Sequence, residues 1–128
     1  MKNIVNSALA PSPVGPYNQA VMAGDLLFIS GQIAIDPKTN DLMMEDIEME
    51  TRQVLDNIVT ILREAHLTTE DVVKCTIFVA DMHLYDRINA VYSEYFRSET
   101  APARELVEVA NLPKFVNLEI SAIAMKSS

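Results

Sequence analysis

The chain predicts an α+β domain in which a mixed β-sheet carries two helices on one face. Three observations predict it. Two stretches repeat apolar residues at intervals of three and four, several shorter stretches alternate with period two or are apolar throughout, and their order along the chain is β-β-α-β-α-β-β. With 128 residues, 49% of them hydrophobic, the sequence fits one domain spanning 1–128 with an ordinary buried core.

Taken in order, Ile4-Val5 is a candidate short strand. Ala10 to Tyr17 holds three of the six prolines, which fix φ and withhold donors, so it reads as an ordered extended loop. The β-prone runs Ala20–Ala23 and Leu26–Ser30 flank Gly24-Asp25, a two-residue hairpin signal. Asp36 to Asp41 reads as a turn in which Asn40 takes the left-handed conformation. From Ile47 to Ala65, the residues Ile47, Thr51, Val54, Leu55, Ile58, Ile61, Leu62 and Ala65 mark one face of a long helix. The acids Glu45, Asp46, Glu48 and Glu50 read as its solvated first turn, where negative charge suits the dipole.

Val72–Ala80 follows as a strand, with Val73, Cys75, Ile77 and Val79 on one face and Phe78 and Ala80 on the other. Apolar character on both faces predicts burial from both sides. Leu84, Ile88, Val91, Tyr92, Tyr95 and Phe96 mark a second helix, with Asp81 as a candidate cap. Ala103–Ala110 and Asn117–Met125 are the closing strands. If both helices cover one face of the sheet, the apolar residues of the other face predict burial against identical neighbours, hence an oligomer.

The formal net charge is -8 and the basic residues are scattered singly. This argues against a nucleic-acid partner, since phosphate binding draws on clustered Lys and Arg. Met1 to Ala10 lacks the basic start and apolar run of a secretory signal, and no stretch approaches the length of a membrane span. A cytoplasmic protein is the expectation. The lone Cys75 excludes an intrachain disulfide and a multi-Cys zinc site, and its apolar setting reads as a buried, inert thiol. His66 and His83 have no ligand partners at metal spacing and read as surface or helix-end residues. Ser30-Gly31-Gln32 lacks the flanking glycine of a nucleophile elbow.

Two charges stand out. Arg104 opens one β-prone segment and Glu119 lies inside another. A guanidinium on a strand grips a carboxylate with two parallel hydrogen bonds, and a carboxylate beside it orients water and moves protons. The same residues equally suit an exposed pair or a structural ion pair.

The segments SPVGPYNQA, GDLLFISGQIAIDPKT, INAVYSEYF and APARELVEVANLPKFVNLEISAIA, in this order from about residue 10 to the end, resemble the RidA (YjgF) family. The resemblance implies a chorismate-mutase-like α+β fold, a homotrimer with sites between subunits, and no cofactor or metal. It implies hydrolysis of enamine and imine intermediates such as 2-aminoacrylate and 2-iminobutyrate to 2-keto acids and ammonia. Residue by residue, Arg104 matches the arginine that binds the substrate carboxylate and Glu119 the acid that positions water. Tyr17 matches the aromatic residue lining the cleft, Ser30 and Gly31 the SGQ turn beside it, and Asn89 the site asparagine. Leu106 stands at a backbone contact where the family commonly has cysteine, and Asn40 replaces the glycine of its D-P-x-T-G turn. A backbone donor survives the first exchange and a left-handed position tolerates the second. A non-catalytic binder of small 2-keto or 2-imino acids, an RNA-acting inhibitor of translation, and a chaperone or regulatory partner are the alternative functions.

Overall fold

The computed structural model describes residues 1–127. Six strands, β1 (Asn3–Val5), β2 (Ala20–Ala23), β3 (Leu26–Gln32), β4 (Val72–Val79), β5 (Ala103–Glu108) and β6 (Leu118–Met125), form one sheet in the order β1-β2-β3-β6-β4-β5. Only β4 and β5 run parallel; the other neighbours are antiparallel. The helices α1 (Ile47–Glu64) and α2 (Tyr85–Tyr95) pack together over one face. Between them and the sheet lies the core, with Leu27, Leu55, Ile58, Ile77, Ile88, Leu118 and Ile120 fully buried.

Local chemistry explains the boundaries. Gly24, at φ 61, makes the β2–β3 turn, and Asn40 closes the following turn at φ 66. Asp46 caps α1, its side chain accepting from the Met49 amide. At the other end His66 turns left-handed at φ 61 while Leu67 N–H returns to the Leu62 carbonyl. His66 is thus an exposed helix-end residue, and so is His83, which bonds Asp81.

Four expectations need correction. Asp81 caps the short 3-10 turn Met82–Leu84 that precedes α2, not α2 itself. Val73 does not share the face of Cys75: a bulge between Val72 and Lys74 leaves Val72 buried and Val73 exposed. Ser30-Gly31-Gln32 is an irregular end of β3, where the pairing with β6 slips between Ile29 and Gln32, and not a free turn. Glu50 is not solvated. It is 0% exposed, although Glu48 beside it reaches Arg87 at the surface.

The second sheet face carries Leu26, Phe28, Phe78, Val107, Ile123 and Met125. In-register pairs Leu26–Met125, Phe28–Ile123 and Phe78–Val107 place them together. Phe28 and Val107 each remain 43% exposed. This strip has no helix over it.

Candidate functional site

Glu119 leaves the open face of β6, opposite Phe78. Its side chain lies across Gly31, where a Cβ would come within 2.8 Å of the Glu119 Cδ. The β3 irregularity and the absent side chain at 31 therefore make the space that the carboxyl occupies. Around it opens a cavity of about 160 Å³ walled by Pro11, Pro13, Val14, Tyr17, Ile33, Ile35 and Pro113, with Lys114 at the same opening. Burial among these groups pushes the Glu119 carboxyl above the ordinary glutamate range.

Buried polar side chains hold the walls. Gln19, 2% exposed, accepts from Ser7 N–H and donates to the carbonyls of Ser7 and Pro11 at 3.0 and 2.9 Å, which ties the proline loop over the cavity. Asn57 on α1 donates to the carbonyls of Ile33 and Ile35 at 3.3 and 2.9 Å. Ser30 does not line the cavity; its hydroxyl donates to the Asn18 carbonyl at 2.7 Å and fastens the segment that carries Tyr17.

Arg104 sits on the edge strand β5, in register with Cys75, and Cys75 with Ala122. That row faces the helices. Its guanidinium donates to Asn89 Oδ1 at 2.8 Å and to the Tyr85 hydroxyl at 2.9 Å, and lies 4.8 Å from the Tyr92 ring centre. Asn89, Tyr92, Ser93, Phe96 and Arg104 line a second, shallower cleft of about 400 Å³. A guanidinium has five N–H donors, so two side-chain bonds leave capacity for a carboxylate. Cys75 is buried beneath, and that burial raises its thiol pKa, which makes it a poor nucleophile. Leu106 turns its side chain toward the core, so only its backbone is presented along the edge.

The structure thus gathers the named residues into two groups. Tyr17, Gly31 and Glu119 share one cavity; Asn89 and Arg104 share the other. The two charges project from opposite faces, with β4 between their strands and a three-residue offset along it. Two strand spacings and three residues place their Cα atoms about 14 Å apart. One chain by itself does not close a site around both. Sequence reading missed Gln19, Asn57 and Tyr85. Gln19 had no signal; Asn57 is a polar residue on the apolar face of α1, and Tyr85 sits one turn before Asn89.

Gly31→Ala tests the packing at the carboxyl. The backbone at 31 is not left-handed, so the fold tolerates the change, but Glu119 has to move. The expected result is a melting temperature near that of the wild type and an NMR titration of the Glu119 carboxyl displaced from that of the wild type, because its place across residue 31 is taken.

Chain and fold together define a class of small α+β proteins with a carboxyl-bearing cleft and an arginine-bearing one. The family model described as Endoribonuclease L-PSP matches residues 7–126, and the chain belongs to this family, the RidA/YjgF family. It is 51% identical over 126 residues to a RutC family protein of Pyrococcus horikoshii, covering 98% of this chain and 99% of that one. It is 42% identical over 128 residues, with 98% and 99% coverage, to the Salmonella typhimurium protein named 2-iminobutanoate/2-iminopropanoate deaminase. The crystal structure of Escherichia coli TdcF with bound serine superposes with a TM-score of 0.92 at 39% identity, covering 98% of this chain and 99% of that one. Among the described residues no helix is long and apolar enough to cross a membrane.

Proposed function

We propose that the protein hydrolyses reactive enamine and imine intermediates such as 2-aminoacrylate and 2-iminobutyrate, the former as its imine tautomer, to 2-keto acids and ammonia, in sites shared between neighbouring chains of a homotrimer. The observation that carries this reading is Arg104, braced by Asn89 and Tyr85 over the Tyr92 ring and with donors to spare at the sheet edge. A planar, fixed guanidinium recognises a small carboxylate by two parallel bonds. The name of the Salmonella relative supports the reaction; the bound serine of TdcF supports a ligand of amino-acid size.

In this mechanism Arg104 of one chain holds the carboxylate, so that the C=N carbon faces Glu119 of the next. Ionised Glu119 accepts a proton from water as the oxygen adds to that carbon. That proton passes to the nitrogen, which gives the carbinolamine. Glu119 then takes the hydroxyl proton as C=O forms and returns it to nitrogen while the C–N bond breaks with its electron pair on nitrogen, so that ammonia and the 2-keto acid result. Orientation and one proton shuttle are enough, because imines hydrolyse readily. No step requires a cofactor.

The open apolar strip supports the assembly, since a second copy would cover Phe28, Phe78 and Val107. Phe28→Glu is expected to convert a three-chain particle into monomers by sedimentation; a monomeric wild type at micromolar concentration would contradict the trimer. For the activity, a threonine dehydratase generates the imine while its decay is followed with catalytic amounts of this protein. Faster decay is expected. Binding without acceleration would favour a non-catalytic carrier of keto acids, and salt-sensitive RNA cleavage would favour the activity in the family's description.

A further inference from the structure

We propose that Glu50 is a positioning residue for the Glu119 cleft, holding from the first turn of α1 the backbone that leads into Glu119. For its kinetic consequence the inference rests on the deaminase reading; for its geometry it does not.

Glu50 is fully buried, and a buried carboxyl survives only with its oxygens satisfied. All three hydrogen bonds of its carboxylate go to the same short segment. Oε2 accepts from Asn117 N–H at 2.8 Å and Leu118 N–H at 3.3 Å; Oε1 accepts from Asn117 Nδ2 at 2.7 Å. The next residue is Glu119. Just upstream, Lys114 and Phe115 both stand at φ 55, a left-handed backbone that such residues adopt only where the surroundings impose it. Pro113 and Lys114 line the same cavity as Glu119.

The placement within α1 is informative. Seven residues on, Asn57 occupies the same helix face and holds Ile33 and Ile35, which line the same cavity. Of the three buried polar residues of α1, Thr51 bonds back to its own helix, whereas Glu50 and Asn57 reach out to segments beside the cleft. Burying polar groups there brings the core less than leucine would, whereas hydrogen bonds to backbone amides and carbonyls fix a geometry that apolar packing does not.

The test compares Glu50→Ala, Glu50→Gln and, as a control of similar destabilisation, Leu55→Ala, which empties the core from the same helix and removes no hydrogen bond to Asn117 or Leu118. Assays run below each variant's unfolding transition. Glu50→Ala is expected to lower kcat about tenfold while KM changes by about twofold at most, since misplacement of the proton-transfer group affects turnover first. Glu50→Gln keeps one oxygen for both backbone amides and is expected to restore kcat to within about threefold of wild type. Leu55→Ala is expected to melt earlier with kcat unchanged. In parallel, the carboxyl carbon of Glu119, followed by NMR, is expected to titrate lower in Glu50→Ala than in the wild type or Leu55→Ala, as its enclosure loosens. A wild-type kcat and unchanged titration in Glu50→Ala, or an equal loss of kcat in Leu55→Ala, would overturn the proposal. Should the wild type fail to accelerate imine decay, the deaminase reading falls, and the Glu119 titration alone decides the positioning role.

Discussion

Arg104→Ala is expected to lower kcat/KM for imine hydrolysis by about 10²- to 10³-fold, the cost of losing a charge-assisted, two-point contact with the substrate carboxylate. Much of this should appear in KM, because the carboxylate is bound both before and during water addition. Arg104→Lys is expected to recover little. An ammonium does not span Asn89 Oδ1 and the Tyr85 hydroxyl together as the two guanidinium nitrogens do. The fold itself should persist, since Arg104 occupies an edge strand and is only partly buried. Steady-state kinetics on the dehydratase-coupled system read both variants. An Arg104→Ala protein with wild-type kcat/KM would remove the carboxylate clamp from the mechanism.

Glu119→Gln is expected to leave KM nearly unchanged and to reduce kcat by about 10²-fold, the usual worth of a positioned general base. The pH profile gives a sharper signature. Burial raises the carboxyl above its ordinary value of 4.5, and the ionised form is the one that accepts a proton. Activity should therefore rise with pH through a limb lying above the ordinary glutamate range, and Glu119→Gln should lose that limb. Stability carries the opposite sign. A raised pKa in the folded state means that ionisation opposes folding, so the wild type loses stability as pH rises through the folded-state pKa. The amide variant should be as stable as wild type in acid and more stable at neutral pH, by chemical denaturation at the two pH values. Wild-type turnover in Glu119→Gln would exclude the carboxyl as base.

Much of the architecture was legible because it is local. The three-and-four spacing of α1 survives intact from Ile47 to Leu62, and Gly24-Asp25 and Asn40 mark their turns by backbone chemistry. What was not legible is non-local. Val73 keeps the parity of Cys75 in the sequence, but a bulge against β6 reverses it. Glu50 follows the pattern of an exposed first turn, and only the arrival of Asn117 from the far end of the chain gives it donors inside the core. The site shows the same division. Residue types and resemblance single out Arg104, Glu119, Tyr17, Gly31 and Asn89; strand parity alone does not place Arg104 and Glu119 on opposite faces, since that depends on which residues of β4 stand beside each. Ser30 was legible as part of the segment but not as a brace for the Asn18 carbonyl.

That separation makes one measurement decisive. Arg104→Ala and Glu119→Gln chains, each prepared alone, are mixed in equal amounts, unfolded and refolded together. If each site takes its arginine from one chain and its carboxyl from the next, random assembly restores about one quarter of the sites, and that share of wild-type turnover should return. A mixture no more active than its two components, with co-assembly verified by differently tagged chains, would contradict a shared site.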